Sequence, residues 1–219
     1  MAKKPTLGLA INCQDEAHHL PAAIAQFYHI VDDIVVIDGG SKDDSIKWAK
    51  KMGARVFERQ WAHNYADQKN FACQQLDTDW VYVHDPDERL EPTLLEVIPL
   101  LMTEAGQRFL SKAGIICPSN EFFDCFGFPR RNFIEGKQTD HYPDYQYRLF
   151  QKHCTYSKDH QYRIHQDITG FTKRTELDYK RDTLKDPSRF NILHYKTAEL
   201  QAKHDILFPK IMRGEMDNA

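Results

Sequence analysis

The segment "DIVVIDGGSKDDSIKWAKKMGARVFER" (residues 33–59) decides the fold class of this chain. It opens with a strand-forming apolar run, passes through a charged stretch that ends at Gly53, and returns to a second apolar run. Ser41 or Asp43 can cap the helix between the two runs, and Gly53 can end it. A strand, a helix and a strand in this order predict two parallel strands joined by a crossover helix.

The same alternation continues on both sides of this segment. Apolar runs of strand length predict strands at 6–11, 33–38, 54–59, 80–85 and 113–119. Amphipathic stretches predict helices at 16–30, between the capping residues and Gly53, at 66–76 and at 91–105. The pattern predicts an α/β fold with a mostly parallel central sheet and helices on both of its faces.

The second half of the chain has a different texture. From about residue 118 the sequence is rich in aromatic, histidine and arginine residues and poor in helical periodicity. We expect loops and short strands laid over the sheet edge, followed by a final helix at 197–214 that bends near Pro209. The length of 219 residues favours one domain with two functional halves.

Composition and charge exclude several classes of protein. The chain is 41% hydrophobic and 28% charged, as in ordinary globular proteins, so disorder and fibrous repeats are disfavoured. Its net charge is −3, whereas nucleic-acid-binding domains are usually basic, so nucleic acid is disfavoured as a partner.

Cysteine usage and hydropathy bear on localisation. The five cysteines are scattered and show no metal-finger spacing, which predicts reduced thiols in a cytoplasmic protein. The first 16 residues have too short an apolar run for a signal peptide, and no run approaches the roughly 18 to 20 apolar residues that span a bilayer. We expect a cytoplasmic protein, or at most one that sits on a membrane surface.

Acidic residues gather where the fourth predicted strand ends. In "VYVHDPDERL" (81–90), Asp85 and Asp87 flank Pro86, and Glu88 follows directly. Carboxylates this close repel one another unless water, a cation or hydrogen-bond donors compensate them. Two hard carboxylate oxygens suit Mg²⁺ or Mn²⁺, ions that also bind phosphate oxygens. The alternative is a solvated acidic turn.

A second acidic segment ends the second predicted strand. Asp38 is followed by Gly39 and Gly40, which allow the backbone to approach a ligand closely, and Asp38 can accept hydrogen bonds from a base or ribose. Because ligands of parallel sheets collect beyond the carboxyl ends of the strands, both acidic segments are expected in one crevice. The alternative here is a turn with a helix cap.

Taken together, these motifs resemble the family 2 glycosyltransferases of the GT-A fold, particularly the bacterial group that builds lipopolysaccharide cores. The resemblance rests on an ordered series: "LGLAINCQDE", the segment at 32–59, "DQKNFA", "WVYVHDPDERL", "YPDYQYRLFQK" and "RIHQD". It spans residues 6–200 and is tightest through residue 90.

The resemblance implies a Rossmann-like GT-A sheet in a single domain, with a nucleotide-sugar-binding half at 1–117 and an acceptor-binding half at 118–219. It implies a Mn²⁺- or Mg²⁺-dependent inverting transfer of a hexosyl or related sugar in cell-surface glycan or lipopolysaccharide biosynthesis. The partners it implies are a nucleotide-sugar donor and a saccharide or lipid-linked saccharide acceptor, with peripheral membrane association.

The family's functional positions transfer onto this sequence one at a time. Asp38 would contact the nucleobase, Asp85 the ribose and sugar, and Asp87 the divalent cation. Asp144 would deprotonate the acceptor hydroxyl, and His165 would bind the metal or the diphosphate. The donor-binding residues that the resemblance implies are Asn12, Glu16, Asp38, Lys69, Asn70, Asp85 and Arg148.

Some positions depart from the family pattern. The first loop reads Gln14-Asp15-Glu16 where relatives have Asn-Glu-Glu, and Gln166 stands where relatives often carry Glu, which leaves Asp167 as a stand-in. His194 is an alternative to His165 as the functional histidine.

Basic residues in the second half have more than one interpretation. Arg148 and Lys152 can supply positive charge near the leaving group or an anionic acceptor, and a structural salt bridge is the alternative for Arg148. The segment at 118–166, which includes Arg130 and Arg131, would suit an anionic saccharide acceptor.

Other functions fit less well. A haloacid-dehalogenase-like phosphatase carries its DxD on the first strand, followed by Thr or Val, whereas Glu88 follows here after the fourth. No GxGxxG follows the first strand, which disfavours a nicotinamide oxidoreductase. A nucleotide-sugar-binding module without catalysis remains an alternative, although four carboxylates in one crevice have no purpose in an inactive site.

Overall fold

A computed structural model describes residues 3–119, 121–157, 167–177 and 190–202 of the chain. Its α-helices are α1 (Leu20–Ala25), α2 (Ser45–Lys51), α3 (Tyr65–Gln75), α4 (Pro92–Leu101) and α5 (Glu104–Lys112). Its strands are β1 (Leu7–Cys13), β2 (Asp33–Asp38), β3 (Arg55–Glu58), β4 (Trp80–His84), β5 (Glu88–Leu90), β6 (Cys125–Ile134), β7 (Lys137–Gln138), β8 (Asp144–Gln151), β9 (Thr155–Tyr156), β10 (Ile168–Thr169), β11 (Arg174–Glu176) and β12 (Ile192–Lys196).

Within the described residues, ten strands form one sheet that organises the fold. Its order is β3-β2-β1-β4-β8-β6-β12-β5, with β11 and β7 also paired to β6, while β9 and β10 form a separate two-stranded sheet. The first four strands are parallel to one another, and their order reverses between β1 and β4. The predicted α/β class is confirmed, and β1 to β4 form the parallel part of the sheet.

Strand register brings the acidic segments together. Cys13, at the end of β1, lies opposite Asp38 on β2, and Ile11 lies opposite His84 on β4. The carboxyl ends of three strands therefore share one edge of the sheet. This edge is where an open α/β sheet binds ligands.

The sheet is buried on both faces. Leu9 and Ile11 of β1 belong to an apolar cluster with residues of α1 and α4, whereas Ala10 belongs to a second cluster with residues of α3. Successive side chains of a strand point to opposite faces, so a run of apolar residues fills both cores.

The predicted fifth strand at 113–119 is wrong. Gly114, with a φ of 73°, follows the end of α5, and Ile116 fills the core from an irregular segment. The strand that follows β4 is the three-residue β5, which the charged residues of "DPDERL" concealed from pattern reading.

The predicted helix at 91–105 is two helices. α4 ends at Leu101, and α5 starts after Thr103, whose hydroxyl accepts a hydrogen bond from the Gly106 N–H at 3.1 Å. A β-carbon at position 106 would lie 2.1 Å from the Leu100 carbonyl oxygen, so the two helices meet at a point where only glycine fits.

The second half contributes to the central sheet, which corrects the expectation of loops laid over its edge. β8 pairs antiparallel with β4, and β6 pairs antiparallel with β8. Two long strands of the second half therefore continue the sheet beyond β4. Of the predicted C-terminal helix, residues 198–202 are helical and the remainder lies outside the described residues. Within the described ranges, the helices are too short or too polar to cross a membrane.

Candidate active site

A cavity of about 980 Å³ opens at the carboxyl ends of the parallel strands. Seven of the predicted site residues line it: Asn12, Glu16, Lys69, Asp85, Asp87, Asp144 and Arg148. They come from both halves of the chain, because β8 carries Asp144 and Arg148 beside β4. Asp38 and Asn70 lie behind the lining, and the predicted ligand His165 lies outside the described residues.

Hydrogen bonds join the loop after β1 to the loop after β2. The Asp15 N–H donates to the Ser41 hydroxyl at 2.8 Å, and the Ala17 N–H donates to the Asp43 carboxylate at 3.0 Å. Ser41 and Asp43 therefore hold the first acidic loop, whereas α2 has Asp44 at its N-cap, without a side-chain capping bond. Asp43 Oδ1 also accepts a hydrogen bond at 2.9 Å from the N–H of Ser45, the first residue of α2, so Asp43 satisfies one N–H group at the helix start although Asp44 occupies the N-cap position. The predicted capping by Ser41 is wrong.

Glu16 lines the cavity with an unpaired carboxylate oxygen and a raised pKa. Its Oε2 atom is buried and has no hydrogen-bond partner among the described residues, and the same is true of the Asn12 Oδ1 atom. Burial, together with the neighbouring charges of Asp87 and Asp43, raises the pKa of Glu16 to about 8. An acceptor oxygen without a donor, beside further acids, is suited to a cation or to ligand hydroxyl groups.

Asp38 shapes the loop after β2 instead of lining the cavity. Its carboxylate accepts hydrogen bonds from the N–H groups of Gly40 and Ser41, both at 2.9 Å, and it is only 1% exposed. Gly40 has a φ of 102°, a conformation that favours glycine, and Gly39 lines the cavity. The contact of Asp38 with a nucleobase stays a prediction.

The first carboxylate of the DxD motif is held by two cations. Asp85 Oδ2 accepts a hydrogen bond from Arg148 Nη2 at 2.5 Å, and Asp85 Oδ1 lies 3.6 Å from Lys69 Nζ. Burial by itself would raise the pKa of Asp85, but Arg148 and Lys69 outweigh it and hold that pKa well below its usual range. Burial also lowers the pKa of Lys69 to about 8.

The second carboxylate of the motif contacts a histidine. Asp87 Oδ2 lies 3.0 Å from His194 Nε2, and His194 Nδ1 lies 2.7 Å from the Asn132 side-chain oxygen. Burial by itself would raise the pKa of Asp87, but the His194 hydrogen bond outweighs it and lowers that pKa. The structure thus brings His194, the alternative histidine, directly to the DxD motif.

Asp144 is the first residue of β8 and lines the cavity. Its Oδ2 atom accepts from Arg130 at 2.6 Å and from Asn132 at 3.1 Å, and its Oδ1 atom accepts from Gln146 at 2.8 Å. Burial alone would raise the pKa of Asp144, but Arg130 and these hydrogen bonds lower it. The carboxylate is ionised at neutral pH.

Asn70 and Lys152 serve the framework. The Asn70 amide donates to the Tyr156 carbonyl at 2.9 Å and accepts from the Tyr156 N–H at 2.8 Å, which attaches β9 to α3. Lys152 donates its backbone N–H to the Asp79 carbonyl and its ammonium to the Leu76 carbonyl. Leu76 and Asp79 precede β4, whereas Asp85 follows it, so Lys152 lies at the end of the strand away from the DxD motif. The predicted proximity of Lys152 to a leaving group is therefore wrong.

Sequence reasoning missed several cavity residues. Trp61, in the loop before α3, and Tyr65, the first residue of α3, line the cavity with ring centroids 4.5 Å apart. Their closeness in sequence was the available signal. Glu88 is fully buried and accepts from Arg148 at 2.6 Å, although the sequence showed it only as a third acid. Asp167, the predicted stand-in, also lines the cavity and pairs with Arg174 at 2.6 Å.

The donor set fits a divalent cation. Asp87 presents a carboxylate at the cavity, His194 Nε2 lies next to it, and Glu16, whose Oε2 has no hydrogen-bond partner among the described residues, also lines the cavity and is near enough to feel the charge of Asp87. Carboxylate oxygens with an adjacent imidazole suit Mn²⁺, and carboxylates alone suit Mg²⁺, with waters or phosphate oxygens filling the remaining positions.

Comparison with known proteins shows what the first half of the chain is similar to. Residues 10–111 match the family model of Glycosyl transferase family 2. An uncharacterized glycosyltransferase, RP128, of Rickettsia prowazekii is 34% identical over 99 residues, which cover 45% of this chain and 34% of that protein. The lipopolysaccharide core biosynthesis glycosyltransferase LpsC of Rhizobium meliloti is 30% identical over 49% of this chain and 41% of its own length.

The match is partial in extent. The chain spans about a third of the length of the Rickettsia relatives. Among solved structures, glucosyl-3-phosphoglycerate synthase from Mycobacterium tuberculosis, in complex with Mn²⁺, UDP and glucosyl-3-phosphoglycerate, matches with 21% identity and a TM-score of 0.38. That match covers 60% of this chain and 45% of the synthase.

The family-model match confirms the predicted resemblance to the family 2 glycosyltransferases. It lies in residues 10–111, which carry Asp38, Lys69 and the DxD motif.

Proposed function

We propose that this protein is a metal-dependent, inverting glycosyltransferase that moves a sugar from a nucleotide-sugar donor to a hydroxyl acceptor. The observation that carries the proposal is the meeting of Asp85, Asp87 and Asp144 at one cavity, although Asp144 is far from the DxD motif in sequence. The family match over residues 10–111 supports the donor half of the proposal.

The donor would occupy the wall formed by the first half of the chain. Asp87 would hold the cation, with Glu16 and His194 beside it, and a bound divalent cation would take up charge on the departing diphosphate. Trp61 and Tyr65 provide apolar ring surface, while Asn12 and Asp85 offer oxygens to ribose or sugar hydroxyls.

The acceptor would approach from the side of Asp144. Its hydroxyl oxygen attacks the anomeric carbon and forms the new glycosidic bond, while the bond from that carbon to the diphosphate oxygen breaks and its electron pair leaves with the diphosphate. Asp144 takes the hydroxyl proton, and its Oδ1 atom, with one hydrogen bond from Gln146 among the described residues, retains a lone pair for it. Attack opposite the leaving group inverts the anomeric centre.

The acceptor class we propose is a saccharide or lipid-linked saccharide of a cell-surface glycan or lipopolysaccharide. The similarity to LpsC over 49% of the chain supports this choice. In this proposal residues 1–117 bind the nucleotide sugar, residues 118–219 bind the acceptor, and the protein works in the cytoplasm, at the inner face of the membrane where its acceptor is lipid-linked.

A thermal-shift panel tests the donor site. UDP-, GDP-, dTDP- and CMP-sugars are each added with Mn²⁺, Mg²⁺ or EDTA to wild type, to Asp87→Ala and to the control Asp44→Ala, which changes an exposed acid. We expect one nucleotide class to stabilise wild type and Asp44→Ala only when metal is present, and to leave Asp87→Ala unchanged.

Three results would contradict the proposal. Equal stabilisation in EDTA would argue against metal dependence, and no stabilisation by any donor would favour a protein that does not handle nucleotide sugars. Binding without release of nucleotide, even with saccharide acceptors, would favour the alternative of a binding module without catalysis.

A further inference from the structure

Two side chains on β6 hold Asp144 from the same face of the strand. Arg130 donates to Asp144 Oδ2 through Nε at 2.9 Å and through Nη2 at 2.6 Å, and Asn132 donates to the same oxygen at 3.1 Å. Because side chains two apart on a strand share a face, both reach the same carboxylate.

The first of these side chains connects Asp144 to the first DxD carboxylate. Arg130 Nη1 lies 3.3 Å from Glu88 Oε1, and that oxygen accepts from Arg148 Nη2 at 2.6 Å. Arg148 Nη2 also donates to Asp85 at 2.5 Å. Glu88 is 0% and Arg148 is 2% exposed, so these charges have exchanged water for one another and are held in a defined geometry.

The second side chain connects Asp144 to the other DxD carboxylate. The Asn132 side-chain oxygen lies 2.7 Å from His194 Nδ1, and His194 Nε2 lies 3.0 Å from Asp87. His194 is 6% exposed, so this link is also shielded from water. Each carboxylate of the DxD motif therefore reaches Asp144 through an independent chain of polar contacts.

We propose that Arg130 and Asn132 are positioning residues that fix the distance between the acceptor-side carboxylate and the DxD motif. The inference rests on the proposed function and deepens it. In a direct displacement, the acceptor oxygen, the anomeric carbon and the leaving oxygen must align within a few tenths of an ångström. One carboxylate anchors the donor and another receives the proton, so a rigid link between them sets that alignment before any ligand arrives.

The link also explains why β6 carries an arginine and an asparagine where a half-buried strand could carry apolar residues. Arg130 has one partner on each side, Asp144 and Glu88, and Asn132 uses both ends of its amide, one toward Asp144 and one toward His194. Both side chains thus act as two-sided connectors across the cavity.

The test compares three variants with a matched control. Arg130→Met and Asn132→Ala each remove one link, and Arg130→Lys keeps the charge but cannot reproduce the forked contact. The control is Arg108→Met, which changes an exposed arginine of α5 that pairs with Glu104 on the same helix and does not line the cavity. The substrate is whichever of the four nucleotide sugars stabilises wild type with Mn²⁺, and the readout is release of its nucleotide with water as acceptor.

We expect Arg130→Met and Asn132→Ala to lower kcat by about 10- to 100-fold, with donor KM and the Mn²⁺-dependent thermal shift within about twofold of wild type. Arg130→Lys should recover part of the lost kcat, and Arg108→Met should match wild type. A purely structural role would change KM and the thermal shift together with kcat.

The outcomes separate this proposal from the proposed function. If wild type turns the donor over and the Arg130 and Asn132 variants have the kcat of Arg108→Met, the positioning role is refuted while the glycosyltransferase assignment stands. If wild type neither binds nor consumes any of the nucleotide sugars, the proposed function fails and the positioning role fails with it.

Discussion

The raised pKa of Glu16 has a measurable effect on stability. The group has a pKa of about 8 in the folded protein against an ordinary value of 4.5. A difference of this size corresponds to at most about 5 kcal/mol. Because Glu16 lies at the cavity wall and keeps some solvent contact, we expect about 2 kcal/mol.

The sign of the effect follows from the direction of the shift. Below pH 4.5 Glu16 is protonated in both the folded and the unfolded protein, so it does not influence folding. Between pH 4.5 and 8 the unfolded chain loses this proton while the folded protein keeps it, so the free energy of unfolding falls as pH rises. Glu16→Gln removes the titrating group and should abolish that part of the pH dependence.

Urea unfolding at pH 5 and pH 8 without metal measures this difference. We expect Glu16→Gln to be about as stable as wild type at pH 5 and about 2 kcal/mol more stable at pH 8. Glu96→Gln, which changes an exposed acid on α4, is the control and should follow wild type at both pH values.

Adding Mn²⁺ at pH 8 extends the experiment. A cation near Glu16 compensates the ionised carboxylate, so Mn²⁺ should stabilise wild type more than Glu16→Gln and reduce the difference between them. The reasoning is refuted if the two proteins keep a constant difference in stability from pH 5 to pH 8.

Two further predictions follow from the cavity. Asn70→Ala should lower the free energy of unfolding by about 2 kcal/mol in urea titrations, because it removes both hydrogen bonds to Tyr156; a change in donor KM with unchanged stability would instead support the sequence-based role at the nucleotide. Asp144→Asn should lower kcat by about 100-fold or more while nucleotide affinity, measured by calorimetry, stays constant; loss of nucleotide binding would show that Asp144 belongs to the donor site.

The local pattern of the sequence was sufficient for the parallel half of the fold. Apolar runs and glycine punctuation gave β1 to β4 and the helices between them, because each of these elements buries its own side chains against its chain neighbours. The same reasoning failed at 113–119, where Ile116 is buried in the core but belongs to no strand. Apolar content predicts burial, whereas hydrogen-bond partners decide whether a buried segment is a strand.

The second half of the chain was less predictable for a different reason. β6 and β8 contain many half-buried polar residues, since one part of each strand lies in the core and the other lines the cavity. Alternation of apolar and polar residues is weak in such strands. The pairing of β8 with β4 and of β6 with β8 joins segments that lie apart in the sequence.

The sequence by itself determined the fold class, the strand-end location of the DxD motif and the resemblance to family 2 glycosyltransferases, because these depend on residue types at short spacing. Only the tertiary structure decided which charges compensate one another. It paired Asp85 with Arg148, Asp87 with His194, and Asp144 with Arg130. Those pairs join residues 63, 107 and 14 positions apart in the chain. Long-range electrostatic contacts of this kind leave no local pattern, since they arise only when the folded sheet brings distant strands side by side.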